Sequence, residues 1–286
     1  MIINGRKIAK DIKDALKSKI DVLAQKPSLS VILVGSDPAS EVYIRVKKRA
    51  CEKIGINFNL DHFAESVSQE EVLDKIEELN QNPSINGILV QMPLPKHINS
   101  QKIIEKIDPR KDVDGFHPIN VGKMLIGDET GFLPCTPHGI KIMLQKSLIE
   151  VESKHVVIVG RSNIVGKPLA AILMQKKPGC NATVTVCHSY SKNLKDLTRS
   201  ADILVAAIGK ANFITEEMVS PNTVVIDVGI NHVKFPDGTT KIVGDVDFEN
   251  VAHIASAISP VPKGVGPMTV ALLLQNTYMS FHKKNI

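Results

Sequence analysis

Tryptophan is absent from this sequence, and aromatic residues make up only 4% of the chain's 286 positions. A hydrophobic core must therefore be built from Ile, Val, Leu and Ala side chains rather than from large rings. Acidic and basic residues are nearly balanced, with a net charge of +5 from 35 basic and 30 acidic side chains. An excess this small does not indicate nucleic-acid binding. We therefore expect no nucleic-acid partner.

Cysteine is also scarce, since the chain has only four. None forms a C-x-x-C pair, and no Cys/His spacing resembles a zinc site, so we predict reduced thiols and no bound metal. Long apolar runs are absent, because no stretch approaches the roughly 20 residues that cross a bilayer. The N-terminal segment MIINGRKIAK lacks the apolar core of a signal peptide. These absences together predict a cytoplasmic protein without membrane contact.

Helical and strand patterns alternate along the first part of the chain. Asp37 and Pro38 fit the N-cap and the first position of a helix. Alternation of this kind predicts a mostly parallel sheet with helices on both faces, the arrangement of an α/β protein. The predicted helices cover residues 6–25, 38–54 and 70–79, and the predicted strands cover 29–34, 57–63 and 87–90.

The second half continues the alternation after a turn-rich zone at 108–137, in which we place a domain boundary. We predict two α/β domains, residues 1–136 with 267–286 and residues 137–266. Asp237-Gly238 marks the turn of a hairpin flanked by Val233 and Ile242. The other predicted elements are helices at 137–148 and 268–281, and strands at 156–159, 182–187, 203–207, 224–228 and 254–258.

A short apolar strand at Val156–Val159 leads into Gly160, and Gly166-Lys167-Pro168 then begins an apolar helix. Glycines let the backbone come close to a phosphate, and unpaired N–H groups at a helix start face the anion. The spacing G-x-x-x-x-x-G departs from the dinucleotide fingerprint G-x-G-x-x-G, and a P-loop would have a hydroxyl at the position of Pro168. An ordinary strand-to-helix turn fits this spacing about as well as a cofactor site.

The next predicted strand ends in Cys187-His188-Ser189, without the Asp or Glu that binds the ribose 2′-hydroxyl of NAD. Arg161 in the preceding turn and Ser189 together offer a cation and a hydroxyl, which suit a 2′-phosphate. If a dinucleotide binds, the sequence therefore favours NADP over NAD. The alternative for Arg161 is a solvated loop cation.

Tyr43 and Lys47 lie four positions apart on one predicted helix, so their side chains share a face. A nearby ammonium favours the phenolate form of a tyrosine, and a phenol beside a lysine can relay protons. The same helix carries Arg45, Lys48 and Arg49. A solvated basic face is therefore the alternative interpretation of this pair.

Two more polar side chains stand where a strand or a turn ends. Gln91 directly follows a predicted strand, and Asp114 lies in a charged, turn-rich segment. A carboxylate there can bind an amino-substituted heterocycle through paired hydrogen bonds. Turn chemistry beside Gly115 is the alternative for Asp112 and Asp114.

Eight short motifs in a fixed order make the chain resemble the methylenetetrahydrofolate dehydrogenase/cyclohydrolase family over nearly its whole length. Each motif alone is weak, whereas the ordered series is highly specific. The motifs are Gly35–Ser40, Tyr43 with Lys47, Val90–Pro95, Lys111–Phe116, Pro134–Pro137, Val159–Ser162, Cys187–Ser189 and Pro267–Thr269.

The resemblance implies a bifunctional one-carbon enzyme that uses NADP. Such an enzyme oxidises 5,10-methylenetetrahydrofolate to the methenyl form and then hydrolyses that form to 10-formyltetrahydrofolate. The implied protein is a cytosolic homodimer whose folate substrate can carry a polyglutamate tail. Residues 1–136 and 267–286 would form the folate-binding catalytic domain and residues 137–266 a Rossmann-like NADP-binding domain, with the active site in the cleft between them.

The resemblance also implies roles for single residues. Lys47 would handle the proton of the hydrolysis, and Gln91 would hydrogen-bond to Lys47 and tune it. Tyr43 would stack on the folate, and Asp114 would anchor the pterin ring. Since water attack on the methenyl cation releases a proton, we expect Lys47 to be partly neutral, with a pKa lowered by burial or by neighbours. The other implied folate contacts are Val90, Met92, Pro262, Gly264 and Gly266, and NADP would contact Gly160, Arg161, Ser162, Ser189 and Ile230.

Two positions depart from the family pattern. Lys263 stands where the family more often has glycine, and its cation would either meet the glutamate tail of a folate or face solvent. Met92 replaces the commoner leucine, a volume-conserving change that we expect to be silent. Two other functions stay open at this point: a monofunctional NADP dehydrogenase for a small hydroxy acid or cyclic ketone, and a nucleotide-sensing protein without catalysis.

Overall fold

The computed structural model describes residues 1–234 and 239–283. The chain divides into two compact units, one formed by residues 10–133 with 270–286 and the other by residues 1–9 with 134–269. The first contains a three-stranded sheet and the second a five-stranded sheet. We call them the three-stranded unit and the five-stranded unit.

The three-stranded unit is a parallel sheet flanked by helices, with the strand order β2-β1-β3. β1 lies in the centre, and its seven residues are all buried. Ile32 of β1 and Ile88 of β3 share an apolar cluster with Ile76 and Ile103 of two flanking helices. The elements are α1 (Gly5–Asp21, which begins among the residues of the other unit), β1 (Ser28–Val34), α2 (Pro38–Ile54), β2 (Asn57–Phe63), α3 (Gln69–Gln81), β3 (Gly87–Val90), α4 (Ser100–Lys106) and α5 (Pro118–Ile126).

The five-stranded unit is built on a parallel sheet with the strand order β10-β7-β6-β4-β5, and a separate antiparallel pair is formed by β8 and β9. Val157, Leu204 and Val225, from three neighbouring strands, lie in one buried cluster. The elements are α6 (Cys135–Lys146), β4 (His155–Val159), α7 (Gly166–Leu173), β5 (Thr183–Cys187), α8 (Leu194–Arg199), β6 (Ile203–Ala206), β7 (Val224–Asp227), β8 (Asn231–Lys234), β9 (Thr240–Val243), α9 (Phe248–Val251) and β10 (Ala257–Ile258). The last helix, α10 (Val265–Lys283), begins in this unit, and its residues from 270 onward belong to the three-stranded unit. The predicted fold class, α/β with mostly parallel sheets, is confirmed.

Each sheet has one point at which the direction of strand addition reverses. In the three-stranded sheet β2 lies on one side of β1 and β3 on the other, and in the five-stranded sheet β5 and β6 flank β4 in the same way. The segments that follow β1 and β3, and those that follow β4 and β6, therefore leave the sheet edge side by side. Open parallel sheets bind ligands at such switch points, beyond the carboxyl ends of the strands.

The sequence located most elements but not all of their ends. The bounds of β2 and β3 agree with the prediction, whereas α4, α5, α8 and α9 were not predicted. β10 covers only the last two residues of the predicted strand 254–258. α10 begins at Val265, three residues before the predicted start, because a proline in the first turn of a helix needs no N–H partner.

The predicted hairpin is present as two paired strands, with Val233 opposite Lys241 and His232 opposite Ile242. Its predicted turn at Asp237-Gly238 lies outside the described residues.

Residues 1–9 group with the five-stranded unit rather than with the residues that follow them. Ile3 N–H donates to Ile258 O, and Arg6 N–H donates to Lys263 O, both at 2.9 Å. These backbone bonds join the N-terminus to β10 and to the segment before α10. The predicted boundaries at 136/137 and 266/267 differ from the observed changes at 133/134 and 269/270, and the functional assignment of the two domains stays a prediction.

All four cysteines are buried thiols that form no disulfide, and burial raises the pKa of the Cys51 thiol to about 12. Within residues 1–234 and 239–283, no cluster of three His, Cys, Asp or Glu side chains is arranged to hold a metal ion. The described part of the chain also has no helix whose length and hydropathy would let it span a membrane.

Candidate active site

Helix α2 carries the predicted pair Tyr43 and Lys47. The Asp37 side chain caps this helix by accepting the Ser40 N–H at 2.8 Å, and Pro38 occupies the first helical position. This start sets the helical phase that brings Tyr43 and Lys47 to one face.

Burial separates Lys47 from the other cations of α2. Lys47 is half-buried, whereas Arg45, Lys48 and Arg49 are exposed. The alternative of a solvated basic face therefore describes those three side chains and does not describe Lys47.

Lys47 contacts the end of β3. Its Nζ donates a hydrogen bond to Gln91 Oε1 at 2.9 Å. Gln91 is held in turn, because its backbone N–H donates to Ile32 O at 2.9 Å and its Nε2 donates to Met92 O at 2.8 Å. The structure thus brings Lys47 and Gln91 together at the switch point between β1 and β3.

The sequence predicts that the neighbouring ammonium favours the phenolate form of Tyr43, and the structure favours the neutral phenol instead. Burial raises the pKa of the Tyr43 phenol above its usual value. The side chain is half-buried and stays protonated near neutral pH, so it presents a neutral ring and a hydroxyl donor.

Asp114 follows a segment that runs beside β3. Ile88 and Asp112 form a parallel bridge, and Ile88 N–H donates to Lys111 O at 2.8 Å. Asp114 is half-buried and lies in the turn that directly follows this bridge. The structure therefore places Asp114 in the turn after the segment that pairs with β3.

Asp112 has a structural part in this loop. Its buried carboxylate accepts the His117 N–H and the Asn120 Nδ2–H at 2.8 Å each, and the Gly115 N–H at 3.2 Å. Burial raises the pKa of Asp112. The turn-chemistry interpretation holds for Asp112, which shapes the loop that carries Asp114.

The glycine turn of the five-stranded unit lies at the other switch point. Gly160 has φ +129°, and a β-carbon there would collide with Ala207 O, the carbonyl that follows β6. A β-carbon at Gly166 would collide with Gly160 O. Both glycines therefore serve close contacts within the protein, between the ends of β4 and β6 and the start of α7.

The groups that were predicted to select NADP follow two neighbouring strands, Arg161 after β4 and Ser189 after β5. Ser162, Arg161 and Ser189 are all exposed. The Arg161 guanidinium lies over the ring of Tyr190, 5.8 Å from its centre. No acidic side chain stands at residues 187–190, so the residues present fit a dinucleotide with a 2′-phosphate. Ser162 also shapes the turn, since its Oγ accepts the Val165 N–H at 3.1 Å.

The segment 262–266 belongs to the five-stranded unit. Gly264 is buried, and a β-carbon there would press on Pro260 O, so this glycine serves the protein's own packing. Gly266 is open, and the nearest atom to a β-carbon placed there would be Ile230 Cδ1 at 3.9 Å. Ile230 is 40% exposed, so one predicted NADP contact and one predicted folate contact lie side by side.

Two family-like motifs also meet in this unit. Thr136 Oγ1 lies 2.8 Å from Thr269 Oγ1, which joins the segment Pro134–Pro137 to Pro267–Thr269.

The predicted folate contacts Val90 and Met92 lie at the end of β3 in the three-stranded unit. Val90 is buried and Met92 is half-buried.

Sequence reasoning missed two buried carboxylates behind the NADP-side loops. Asp227 ends β7, and Asp245 follows β9. Both accept several backbone N–H groups. The sequence contains a local pattern at both positions. Asp227 ends a β-branched run and lies two residues before Gly229, and Asp245 directly follows Gly244.

Comparison with known proteins identifies both parts of the chain. Residues 3–114 match the catalytic domain of tetrahydrofolate dehydrogenase/cyclohydrolase, and residues 134–285 match the NAD(P)-binding domain of the same family. The bifunctional protein FolD of Prosthecochloris aestuarii is 53% identical over all of this chain and 99% of that protein.

Solved structures agree with this match. The crystal structure of the bifunctional FolD dehydrogenase/cyclohydrolase from Campylobacter jejuni has a TM-score of 0.94 and 46% identity, covering 99% of both chains. The Trypanosoma brucei enzyme, solved with NADP and an inhibitor, has a TM-score of 0.94 and 34% identity, covering 100% of this chain and 98% of that one. The chain therefore belongs to the tetrahydrofolate dehydrogenase/cyclohydrolase family and is a bifunctional enzyme, an NADP-dependent methylenetetrahydrofolate dehydrogenase and a methenyltetrahydrofolate cyclohydrolase.

Proposed function

We propose that Lys47 is the proton-handling group of the hydrolytic step and that Gln91 orients it. The single observation that supports this most is the 2.9 Å hydrogen bond from Lys47 Nζ to Gln91 Oε1 at the β1/β3 switch point. Water that adds to the methenyl carbon must lose a proton, and a neutral amine near the carbon can accept it.

The chemistry of Gln91 suits this proposal. A carboxylate at position 91 would favour the ammonium form of Lys47 strongly, whereas a neutral amide oxygen favours it much less. Because Gln91 is itself fixed by its bonds to Ile32 O and Met92 O, its amide oxygen holds the amine in one place. We propose that this keeps part of Lys47 in its basic form.

We propose that the folate is held by a further set of residues, named for the family resemblance. Tyr43, protonated and half-buried, stacks its ring on the substrate. Asp114 accepts paired N–H groups of the pterin. Val90 and Met92 supply apolar contact beside Gln91, and the family resemblance adds Pro262, Gly264 and Gly266 as further substrate contacts.

NADP, when bound, accepts a hydride and so supplies the redox chemistry of the first step. We propose that Gly160, Arg161 and Ser162 receive its phosphates, that Arg161 and Ser189 receive the 2′-phosphate, and that Ile230 contacts the nicotinamide side. The support is the exposed pair formed by Arg161 after β4 and Ser189 after β5, together with the close approach of the β4 and β6 ends. The protein contributes position and charge, and the expected active site between the two domains stays a prediction.

We further propose a cytoplasmic homodimer that accepts polyglutamylated folates. The family resemblance supports all three statements. Size-exclusion chromatography with light scattering tests the dimer, and a comparison of KM for mono- and pentaglutamyl substrates tests the tail.

A coupled assay tests the proposed function directly. The full chain receives 5,10-methylenetetrahydrofolate and NADP, and the formation of NADPH and the decay of the methenyl intermediate are followed together. We expect NADPH to appear with little accumulation of the methenyl form, since the same protein consumes it. If methenyltetrahydrofolate accumulates and then decays only at its uncatalysed rate, the proposed hydrolytic site is contradicted.

A further inference from the structure

A buried carboxylate, Asp245, holds the loop that follows β6. Its Oδ2 accepts the N–H groups of Ile208 and Gly209 at 2.6 and 2.9 Å, and its Oδ1 accepts the Lys210 N–H at 2.9 Å. These three successive N–H groups form a concave anion-binding turn that is filled by the protein's own side chain. They are therefore not available to a phosphate.

Asp245 also reaches the segment after β7. Its Oδ1 accepts the Nδ2–H of Asn231 at 2.9 Å, and Asn231 directly follows Ile230. A β-carbon at Gly229 would collide with the Asp245 carboxylate. One fully buried side chain thus fixes the loop after β6 and the segment that carries Ile230.

A second carboxylate, Asp227, holds Asp245 in place. Asp227 accepts the backbone N–H groups of Gly229 and Val246 at 3.0 Å and that of Asp245 at 2.9 Å. Gly244 has no room for a β-carbon beside this carboxylate. Asp227, at the end of β7, therefore positions Asp245, and Asp245 in turn positions residues 208–210.

Both supported segments lie at the edge where NADP is proposed to bind. The loop after β6 begins at Ala207, whose carbonyl lies against Gly160 at the β4/β6 switch point. Ile230 is one of the proposed cofactor contacts. A segment that is already fixed loses less conformational entropy when a ligand binds to it.

We propose that Asp245 is a positioning residue for NADP, which sets cofactor affinity by holding residues 208–210 and Asn231 in their binding arrangement. The proposal rests on the proposed position of NADP at the ends of β4, β6 and β7. It assigns Asp245 no contact with the cofactor and no part in the hydrolysis of methenyltetrahydrofolate.

The test uses Asp245→Asn in the full chain, because asparagine keeps the shape but offers a donor where two N–H groups need an acceptor. NADP binding is measured by isothermal titration calorimetry, and hydrolysis of methenyltetrahydrofolate is measured without NADP. We expect the Kd for NADP to rise at least tenfold while the hydrolysis rate changes less than twofold. Asp245→Ala, which removes both acceptors, should weaken NADP binding further.

Asp202→Asn is the matched control. The Asp202 carboxylate also accepts a backbone N–H, that of His155 at 2.8 Å, but it stands before β6 at the opposite edge of the same sheet. We expect this variant to bind NADP like the parent protein.

Three results would overturn the proposal. They are unchanged NADP affinity in Asp245→Asn, an equal loss of affinity in Asp202→Asn, or a parallel loss of hydrolysis and thermal stability, which would make Asp245 a general structural residue. If Asp245→Asn does not fold, Asn231→Ala removes one of the four bonds, and an unchanged Kd in that variant overturns the proposal. Absence of NADP binding by the parent chain would instead contradict the proposed cofactor site itself.

Discussion

Lys47 and Gln91 stand 44 positions apart in the sequence and are joined by a hydrogen bond of 2.9 Å between Nζ and Oε1. The bond exists because α2 follows β1 and Gln91 follows β3, and these two strands are neighbours in the sheet. The first two predictions concern this pair.

Lys47→Met removes the amine and keeps the length of the side chain. We expect the hydrolysis of methenyltetrahydrofolate to fall by about 100-fold or more, since a positioned general base typically contributes that much. Stopped-flow or conventional absorbance of the methenyl form measures the rate. Lys48→Met, an exposed neighbour on the same helix, should leave the rate unchanged. Hydrolysis near the parent rate in Lys47→Met would show that Lys47 does not handle the proton.

Gln91→Glu places a carboxylate at the oxygen that accepts the Lys47 N–H. A nearby negative charge stabilises the ammonium, so the pKa of Lys47 should rise. We expect hydrolysis at pH 7 to fall and to recover as the pH is raised, because the acidic limb of the pH–rate profile shifts to higher pH. Gln91→Met, which has no charge, should lower the rate without moving the profile. A profile for Gln91→Glu that coincides with that of the parent protein would contradict the proposed tuning.

Local features of the fold could be predicted because their causes lie within a few residues. Asp37 and Pro38 set the start of α2, and the predicted bounds of β2 and β3 agree with the structure. The short helices α4, α5, α8 and α9 were missed since they are too short to show a clear apolar period. Tyr43, Lys47 and Gln91 could be named from motifs, whereas their proximity follows from strand order.

Contacts between distant residues could not be predicted from local patterns. Lys111 is buried, and its Nζ donates to the carbonyls of Leu79, Asn80 and Asn82 at 2.6 to 2.8 Å. It thus caps the end of α3, although the sequence showed only a charged turn. Asp245 holds a loop 35 to 37 positions away for the same reason: the partners are set by tertiary structure.

Arg161→Gln tests the predicted preference for NADP. A charge-assisted hydrogen bond to the 2′-phosphate contributes about 1.5 to 3 kcal/mol. We therefore expect the ratio of kcat/KM for NADP to that for NAD to fall by about 10- to 100-fold, mainly through KM for NADP. Arg199→Gln, a cation of α8 in the same unit, is the control. An unchanged ratio would favour the alternative that Arg161 is a solvated loop cation.

Tyr190 offers a second test of the proposed contact between Arg161 and the 2′-phosphate. Its ring is 81% exposed and lies under the Arg161 guanidinium. Tyr190→Ala removes a cation–π contact of roughly 0.5 to 1 kcal/mol, so we expect a two- to fivefold loss of affinity for 2′,5′-ADP, measured by calorimetry. Tyr190→Phe should retain the affinity. Equal losses in both variants would show that the hydroxyl rather than the ring matters.

Lys263 occupies a backbone conformation that favours glycine, with φ +91°. Glycine adopts this conformation without the strain that a β-carbon brings, so we predict that Lys263→Gly is more stable by about 1 kcal/mol. Urea unfolding followed by circular dichroism measures the change. Lys263→Ala keeps the β-carbon and should bring no such gain. If both variants raise KM for a polyglutamylated folate equally, the cation contacts the tail. If neither does, Lys263 faces solvent.

Asp227 should make the stability of the five-stranded unit depend on pH. The pKa of the Asp227 carboxyl is raised from 3.8 to about 6, mainly because the group is buried. Between about pH 4 and pH 6 the unfolded chain has lost this proton while the folded chain keeps it. Unfolding therefore releases a proton, and the contribution of Asp227 to stability falls as the pH rises through this window.

Asp227→Asn removes this titration while all other groups stay the same. We expect the free energy of unfolding of the parent protein to exceed that of Asp227→Asn by the largest amount near pH 4. This difference should become smaller as the pH rises to about 6. Each unit between the folded and unfolded pKa values corresponds to about 1.4 kcal/mol. Urea unfolding at several pH values measures the difference, and Asp202→Asn, whose exposed carboxylate lies at the other sheet edge, is the control. A difference that grows with pH would show that the three N–H groups around Asp227 outweigh its burial and hold its pKa low.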